Sequence, residues 1–471
     1  MLIRFLLVAA LLLVAASGTR RGVIALVVAS ALQDVLRKLD NTPGSGFLWT
    51  GLAGLVLVAT VTGLILRGER RSFTAGEASR LQKPLVVLAV IVLLQAVVSF
   101  ARTKSVAVPL LGIAMYLFPL AALQVGLTLG RSARTVDRLL LLYAGVTSIA
   151  LGAMFFTKLG VQHPLLDPVG EELVTYGVGG VVQLEQGLYR APEIAGWHAS
   201  MLLCLCLLWA GEGRRRAWVP LLVVASLAAL WTGRRKWLLT PAVVLVTAQV
   251  GALWLGLRRT RLLAGGVAAL LVLVGVTMAI LSTANEHSAT GAHLARLNLV
   301  EAHAASRVHA LGGVGPLDVI KRVGWLGGGV GVAQQGTRHL AGAHGVEIAG
   351  WGAEGGLGQI LAEIGIPGLL ASLVVALMMG RVLLGGIRRA MRVGDDRSAW
   401  LLMWGTATLL ANALAFLLAK QAFGDPFIVA WLGLLAGCLV ARADAVAVAP
   451  TPFRAGPRPY RLDVVAPGGI S

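Results

Sequence analysis

The sequence has little charge. Asp, Glu, Lys and Arg make up 13% of its 471 residues, about half the share of a soluble domain. That shortfall excludes a string of soluble modules. Cysteine is nearly absent: Cys204, Cys206 and Cys438 are the only three. All lie inside apolar runs, so they read as small packing residues and not as disulfides or metal ligands. Acids are scarce beside bases, 22 against 41, giving a formal charge of +19. In a membrane chain such basic residues are topology signals and lipid-headgroup partners, and no nucleic-acid partner is expected. There is no HExxH and no GK[ST], and the glycine clusters follow no strand of a βαβ unit. Neither a metal nor another cofactor is therefore expected.

What is present is apolar length. Hydrophobic residues are 57% of the chain and the mean hydropathy is +0.80. Runs near the length that crosses a bilayer recur throughout. They fall at 3–17, 22–38, 46–66, 84–101, 106–129, 138–156, 197–210, 217–231, 236–256, 262–283, 357–380, 398–417 and 425–441. The first has the look of a signal peptide's apolar region. However, "AASGTRRG" is a poor cleavage site and another apolar run follows at once, so a spanning helix is expected there. The expected fold class is all-α: a polytopic membrane protein of about 12–13 transmembrane helices with a large helical periplasmic loop at 284–356. Residues 1–441 form one multi-pass membrane domain. The Pro- and Gly-rich 442–471 reads as a disordered cytoplasmic tail.

Basic clusters occupy every second loop: "TRRG", "LRGERRSF", "RSARTVDR", "GEGRRRAW", "LRRTR" and "RVLLGGIRRAMRVGDDR". By the positive-inside rule these and the tail face the cytoplasm. Loops 39–45, 102–105, 157–196, 232–235, 284–356 and 418–424 then face outward. Two of them, 157–196 and 284–356, are long. All eight histidines, His163, His198, His287, His293, His303, His309, His339 and His344, map to the outward side.

Against the rule, Arg234, Arg235 and Lys236 in "WTGRRKWLLTP" also fall outward. Charge at a membrane boundary is costly and points to function, with snorkelling at a helix end as the plainer reading. Arg190, in "GLYRAPEIAGWHAS", is a further outward cation before a spanning run, with Glu193 and His198 close behind. In "AHLARLNLVEAHAASRVHAL", His293, Arg296, His303 and Arg307 fall within an arc of about 80° at helical spacing. That stripe suits phosphate, because guanidinium offers planar paired donors; a solvated face is the alternative. "GWLGGGVGVAQQG" (324–336) reads as a flexible or tightly turning segment. Glu354, just before the next span, is a candidate general base or a helix-start acid favoured by the macrodipole. Glu363, within that span's first turns, reads as structural.

In order and sidedness these features resemble the O-antigen ligase and Wzy-type polysaccharide polymerase family. "GLYRAPEIAGWHAS" resembles the family's Arg-x-x-Gly-type segment before a central helix. "WTGRRKWLL" resembles its Ser-Arg helix start, with Arg235 at the arginine position and Arg234 where serine is common. "SRVHALGGVGPLDVIKRVGWLGGGVG" resembles its arginine followed by a proline–glycine turn, with Arg307 at the arginine and Gly324 at the usual proline. "EGGLGQILAEIGIPGLL" resembles its His-Asn-x-Tyr-Leu…Glu-x-Gly-x-x-Gly ending. The likeness covers residues 185–385; the N-terminal half matches by hydropathy alone. One departure stands out, because Glu354 occupies the family's histidine position.

The resemblance implies a glycosyltransferase in a bacterial inner membrane, with its catalytic face periplasmic. Such an enzyme moves a glycan from an undecaprenyl-diphosphate-linked donor to a hydroxyl of a lipid or glycan acceptor, with membrane lipids around it. Arg190, Arg234, Arg235, Arg307 and Arg296 would hold the diphosphate, and Glu354 or His344 would serve catalysis. Ligase and polymerase stay equally open. The rival class is a transporter or flippase of lipid-linked sugars, which would favour internal repeats; no clear repeat is present.

Overall fold

In the computed structural model the described residues are 2–40, 49, 51–68, 79–167, 169, 174–177, 180–212, 218–234, 236–254, 315–334, 337 and 355–448. They form an all-α polytopic membrane bundle. Thirteen α-helices are described: α1 (Leu2–Ala16), α2 (Thr19–Leu39), α3 (Leu52–Leu66), α4 (Ser79–Thr103), α5 (Ala107–Leu129), α6 (Ala133–Lys158), α7 (Pro192–Gly211), α8 (Trp218–Trp231), α9 (Lys236–Trp254), α10 (Gly315–Val323), α11 (Gly356–Arg392), α12 (Asp396–Leu418) and α13 (Pro426–Val448). Among the described residues eight helices are long and apolar enough to cross a membrane. Twelve of the expected spans coincide with described helices. The expected span 262–283 and the stripe at 292–311 lie outside the described residues.

Three features depart from expectation. Loop 157–196 carries a small antiparallel hairpin, β1 (Val174–Gly177) and β2 (Gly180–Gln183), with Val174 opposite Gln183. The last helix runs to Val448, past the expected end at 441. Arg442, just past the expected end, donates to Asp395 Oδ2 at 2.9 Å and to Ser398, and the following alanines continue the helix. Finally, α11 is not one helix. Gly365 adopts φ 64° and ψ −166°, with Pro367 just beyond, and the chain breaks there into two arms.

Helix α7 is the axis of the bundle. Nearly all its residues are buried, and its neighbours' tryptophans hydrogen-bond its backbone. Trp404 Nε1 donates to Cys204 O at 2.6 Å and Trp400 Nε1 to Leu208 O at 3.0 Å. Trp197 Nε1, on α7 itself, donates to Asn412 Oδ1 at 2.7 Å. Buried indole N–H groups need such partners. Helices α5 and α13 cross closely because glycines four apart face each other, Gly126 with the capping Gly130 on one and Gly433 with Gly437 on the other. A Cβ on Gly126 would meet Leu434 O at 2.3 Å, and one on Gly437 would meet Leu123 O at 2.1 Å. Small residues let membrane helices touch backbone to backbone where the solvent supplies no hydrophobic drive.

Hydrogen bonds and ion pairs sort the loops into two ends. At one end Arg442 reaches Arg131 O, and Arg397 joins Asp137 and Glu212. At the other, Lys38 donates to Leu165 O and Gly187 O, Glu185 N donates to Trp231 O, and Lys420 Nζ donates to Ala333 O. The second end gathers the loops expected to share one side of the membrane.

Candidate functional site

The cationic corner of that second end is built on the N-terminus of α7. Gly187, with φ 59°, turns the chain after the hairpin, and Ala191 leads into Pro192, a residue pre-set for a first helical turn. The turn aims Arg190 inward. Its Nη1 donates to Asp34 Oδ1 of α2 at 2.6 Å, and its Nη2 pairs with Asp425 Oδ2 at 2.7 Å. Asp34 is 0% exposed and Asp425 is 2% exposed. Gln33 Nε2 adds a bond to Asp425 Oδ2 at 3.1 Å. The other oxygen of Asp425 accepts from the amides of Phe427 and Ile428 and so caps α13. Burial works against the Arg190 charge, but Asp34 and Asp425 outweigh it and hold its pKa above the ordinary arginine value.

One turn along α7, Glu193 accepts from three donors. Arg234 Nη1 lies at 3.0 Å, Lys236 Nζ at 2.9 Å and Trp237 Nε1 at 3.2 Å. Lys236 also reaches Gln421. The 232–234 turn is made by Gly233 at φ 61°, and Trp237 N donates to Arg234 O. A single carboxylate therefore gathers Arg234 and Lys236, two of the three cations that break the positive-inside pattern. Arg190 and Arg234 sit at the same corner, joined through the first turn of α7.

Beneath lies an aromatic stack. Tyr189 lies over His198 at 4.3 Å between ring centroids, and Tyr143 OH meets His198 Nδ1 at 3.0 Å. Phe427 and Trp431 close it. His198 is 1% exposed and lies inside α7. It was expected on the outward side, at the start of the run 197–210; the helix begins at Pro192, earlier than that run, and draws the histidine into the core.

Of the expected site residues, Arg190 and Arg234 are described and share the corner. Arg235, Arg296, Arg307, His344 and Glu354 lie outside the described residues. Asp34, Glu193 and Asp425 organise the corner and were not singled out as partners. A signal existed for two of them. Asp34 is an acid inside an apolar run, which needs a partner, and Asp425 precedes the last apolar run at a capping position. Glu363, expected to be structural, is 0% exposed and accepts from Ala333 N at 3.1 Å and Gln334 Nε2 at 3.3 Å. Among the described residues no group of three His, Cys, Asp or Glu is placed to hold a metal ion.

No protein-family model matches the chain, and no curated protein matches it.

Proposed function

We propose that the chain is a membrane glycosyltransferase of the O-antigen ligase or polysaccharide polymerase type, working on the periplasmic face of a bacterial inner membrane. Its donor is a glycan on undecaprenyl diphosphate, and its acceptor is a sugar hydroxyl on a lipid or a second glycan. The acceptor oxygen bonds to the anomeric carbon as the bond from that carbon to the diphosphate oxygen breaks. The diphosphate leaves with the electron pair, and the acceptor proton passes to Glu354 or His344. No nucleotide is consumed.

The observation that carries this reading is the setting of Arg234. It is a partly exposed guanidinium, fixed on Glu193 at the rim of an apolar bundle. Preorganised cations aimed at developing charge are the largest single contribution in many active sites. In this reading Arg234 and Arg235, with Arg296 and Arg307, receive the diphosphate. Arg190 has both terminal nitrogens committed to carboxylates, so its part is to hold the start of α7 in place.

The test is reconstitution of purified protein in vesicles with a lipid-diphosphate glycan donor, an acceptor and no nucleotide. Transfer is expected, and Arg234→Ala or Arg235→Ala should lower it about 10²–10³-fold with the protein still folded. Undiminished transfer in Arg235→Ala overturns the diphosphate role.

A second reading has one observation of its own. A helix broken near one end of the bundle, as α11 is at Gly365, is a common feature of transporters. A transporter would carry the donor between leaflets of the same vesicles without any acceptor present.

A further inference from the structure

The segment 315–334 is not used by the proposed reaction, and its chemistry is distinctive. It begins with α10, whose sequence is GPLDVIKRV. At about 100° per residue, Val319, Val323, Ile320 and Leu317 occupy one arc of about 160°. Lys321, Asp318 and Arg322 occupy the opposite arc of about 100°. The apolar arc is divided. Val319 and Val323 are buried against Leu361 and Ala362 of α11. Leu317, at the far edge of the same arc, is 59% exposed.

The chain then enters a glycine loop that brings Trp325 and Leu326 to the surface, 61% and 52% exposed. Both of their carbonyls are engaged. Trp325 O accepts from Ile366 N at 2.9 Å, which uses the amide freed by the break in α11, and Leu326 O accepts from Gln95 Nε2 at 2.7 Å. Two exposed apolar side chains on an anchored backbone are held outward by the fold.

Their depth is fixed by the same bonds. Gln95 lies about two turns before the end of α4 at Thr103. Trp325 and Leu326 are therefore level with the outer turns of spanning helices, where a bilayer changes from acyl chain to headgroup. The neighbouring surface fits. Leu370 and Leu373 of α11 and Val97 and Phe100 of α4 are exposed on the membrane-spanning flanks. Arg102, Lys104, Lys321 and Arg322 are exposed toward the bundle end. Apolar and aromatic groups below a ring of cations form the pattern of an in-plane helix with an aromatic belt.

We infer that residues 315–326 form an interfacial mooring that lies in the outer headgroup layer of the α4–α11 flank and binds anionic phospholipid. Leu317, Trp325 and Leu326 enter the acyl boundary, and Lys321, Arg322 and Arg102 take the phosphates. The occupant is the lipid surface, because the patch is continuous with the lipid-facing flank and carries cations at its rim.

The three native cysteines are buried, so single cysteines can be added and labelled with a small fluorophore. Leu317→Cys, Trp325→Cys and Asp318→Cys proteins are placed in nanodiscs of phosphatidylethanolamine and phosphatidylglycerol. The labels at 317 and 325 should be quenched several-fold more by headgroup-proximal doxyl lipid than by iodide, and the label at 318 should show the reverse. Equal iodide quenching at all three positions would mean an aqueous loop. Shielding of 317 and 325 from both quenchers would mean that protein covers the patch. Either result overturns the inference. In a second measurement, Lys321→Gln should lower phosphatidylglycerol enrichment around the protein by up to about fivefold, the value of one cation near an anionic surface. Unchanged enrichment in Lys321→Gln with Arg322→Gln removes the phosphate contacts. None of these readouts depends on glycan transfer.

Discussion

Arg190, Asp34 and Asp425 meet where three helices end, and water barely reaches them. Removing one partner of a buried ion pair leaves an uncompensated charge and costs about 3–5 kcal/mol. Asp34→Ala is therefore expected to lower the melting temperature in detergent sharply. Asp425→Ala should do more damage, since Phe427 and Ile428 lose their capping oxygen as well, worth about 1 kcal/mol. Melting of Asp34→Ala together with the wild type would remove the bracing role. At the other end Asp395 caps α12 through Ser398 N at 3.0 Å and receives Arg442 at 2.9 Å. Partial burial acts to raise its pKa, but the Ser398 hydrogen bonds and the Arg442 charge outweigh it, and the group is held below the ordinary aspartate value. A carboxyl with a depressed folded pKa stabilises above its unfolded pKa, near about 4, and loses that contribution as pH falls through the folded value. Asp395→Asn should thus melt below wild type at pH 7, with the gap closing as the buffer is taken toward pH 3. A gap that does not change with pH would mean that the charge contributes nothing.

Among the described residues the glycine loop holds four left-handed glycines, Gly324, Gly327, Gly329 and Gly331. Irregular backbone at membrane depth must be buried in protein and hydrogen-bonded there. Gly328 N donates to Ala362 O at 2.7 Å and Gly329 N to Glu363 O at 3.1 Å, the carbonyls released where α11 breaks. Two glycines separate conformational strain from close approach. Gly324 has φ +90° with nothing near a built Cβ, whereas Gly331 has φ +90° with Val108 O only 2.1 Å from one. Gly324→Ala should cost only the left-handed penalty of about 1–2 kcal/mol. Gly331→Ala must also push α5 away and should give little folded protein on size-exclusion chromatography. Similar behaviour of the two variants would show that the loop does not pack against α5. The glycines in "GWLGGGVGVAQQG" were legible as tight turns, but their partner was not. The break at Gly365 follows from a single glycine and a nearby proline inside a long apolar run. Its energetic reason, the loop docked 30-odd residues upstream in sequence, is a tertiary fact.

For the whole molecule, apolar length was enough to find twelve of the expected spans among the described residues, though not their ends or the break in α11, because lipid forces each span to satisfy its own backbone. The corner at Arg190 was half legible. Its cations stood out as exceptions to charge sidedness, whereas Asp34 and Asp425 are far apart in sequence and only the packing of α2, α7 and α13 brings them together. The two ends of the bundle now give the sidedness a direct test. Gln162 is exposed in the loop after α6, on the end with Arg234, and Arg134 is exposed at the start of α6, on the end with Arg442. Helix α6 joins them, so they lie on opposite ends by construction. Among the described residues the Arg442 end carries Arg131, Arg134, Arg392 and Arg397, and by the positive-inside rule that end is expected in the cytoplasm. With the native thiols buried, Gln162→Cys should react with a membrane-impermeant maleimide in intact spheroplasts. Arg134→Cys should react only after lysis. The opposite pattern would invert the molecule and put Arg234 and Arg235 in the cytoplasm. There they could not meet a donor in the outer leaflet, and the proposed transferase would be untenable whatever the vesicle assays gave.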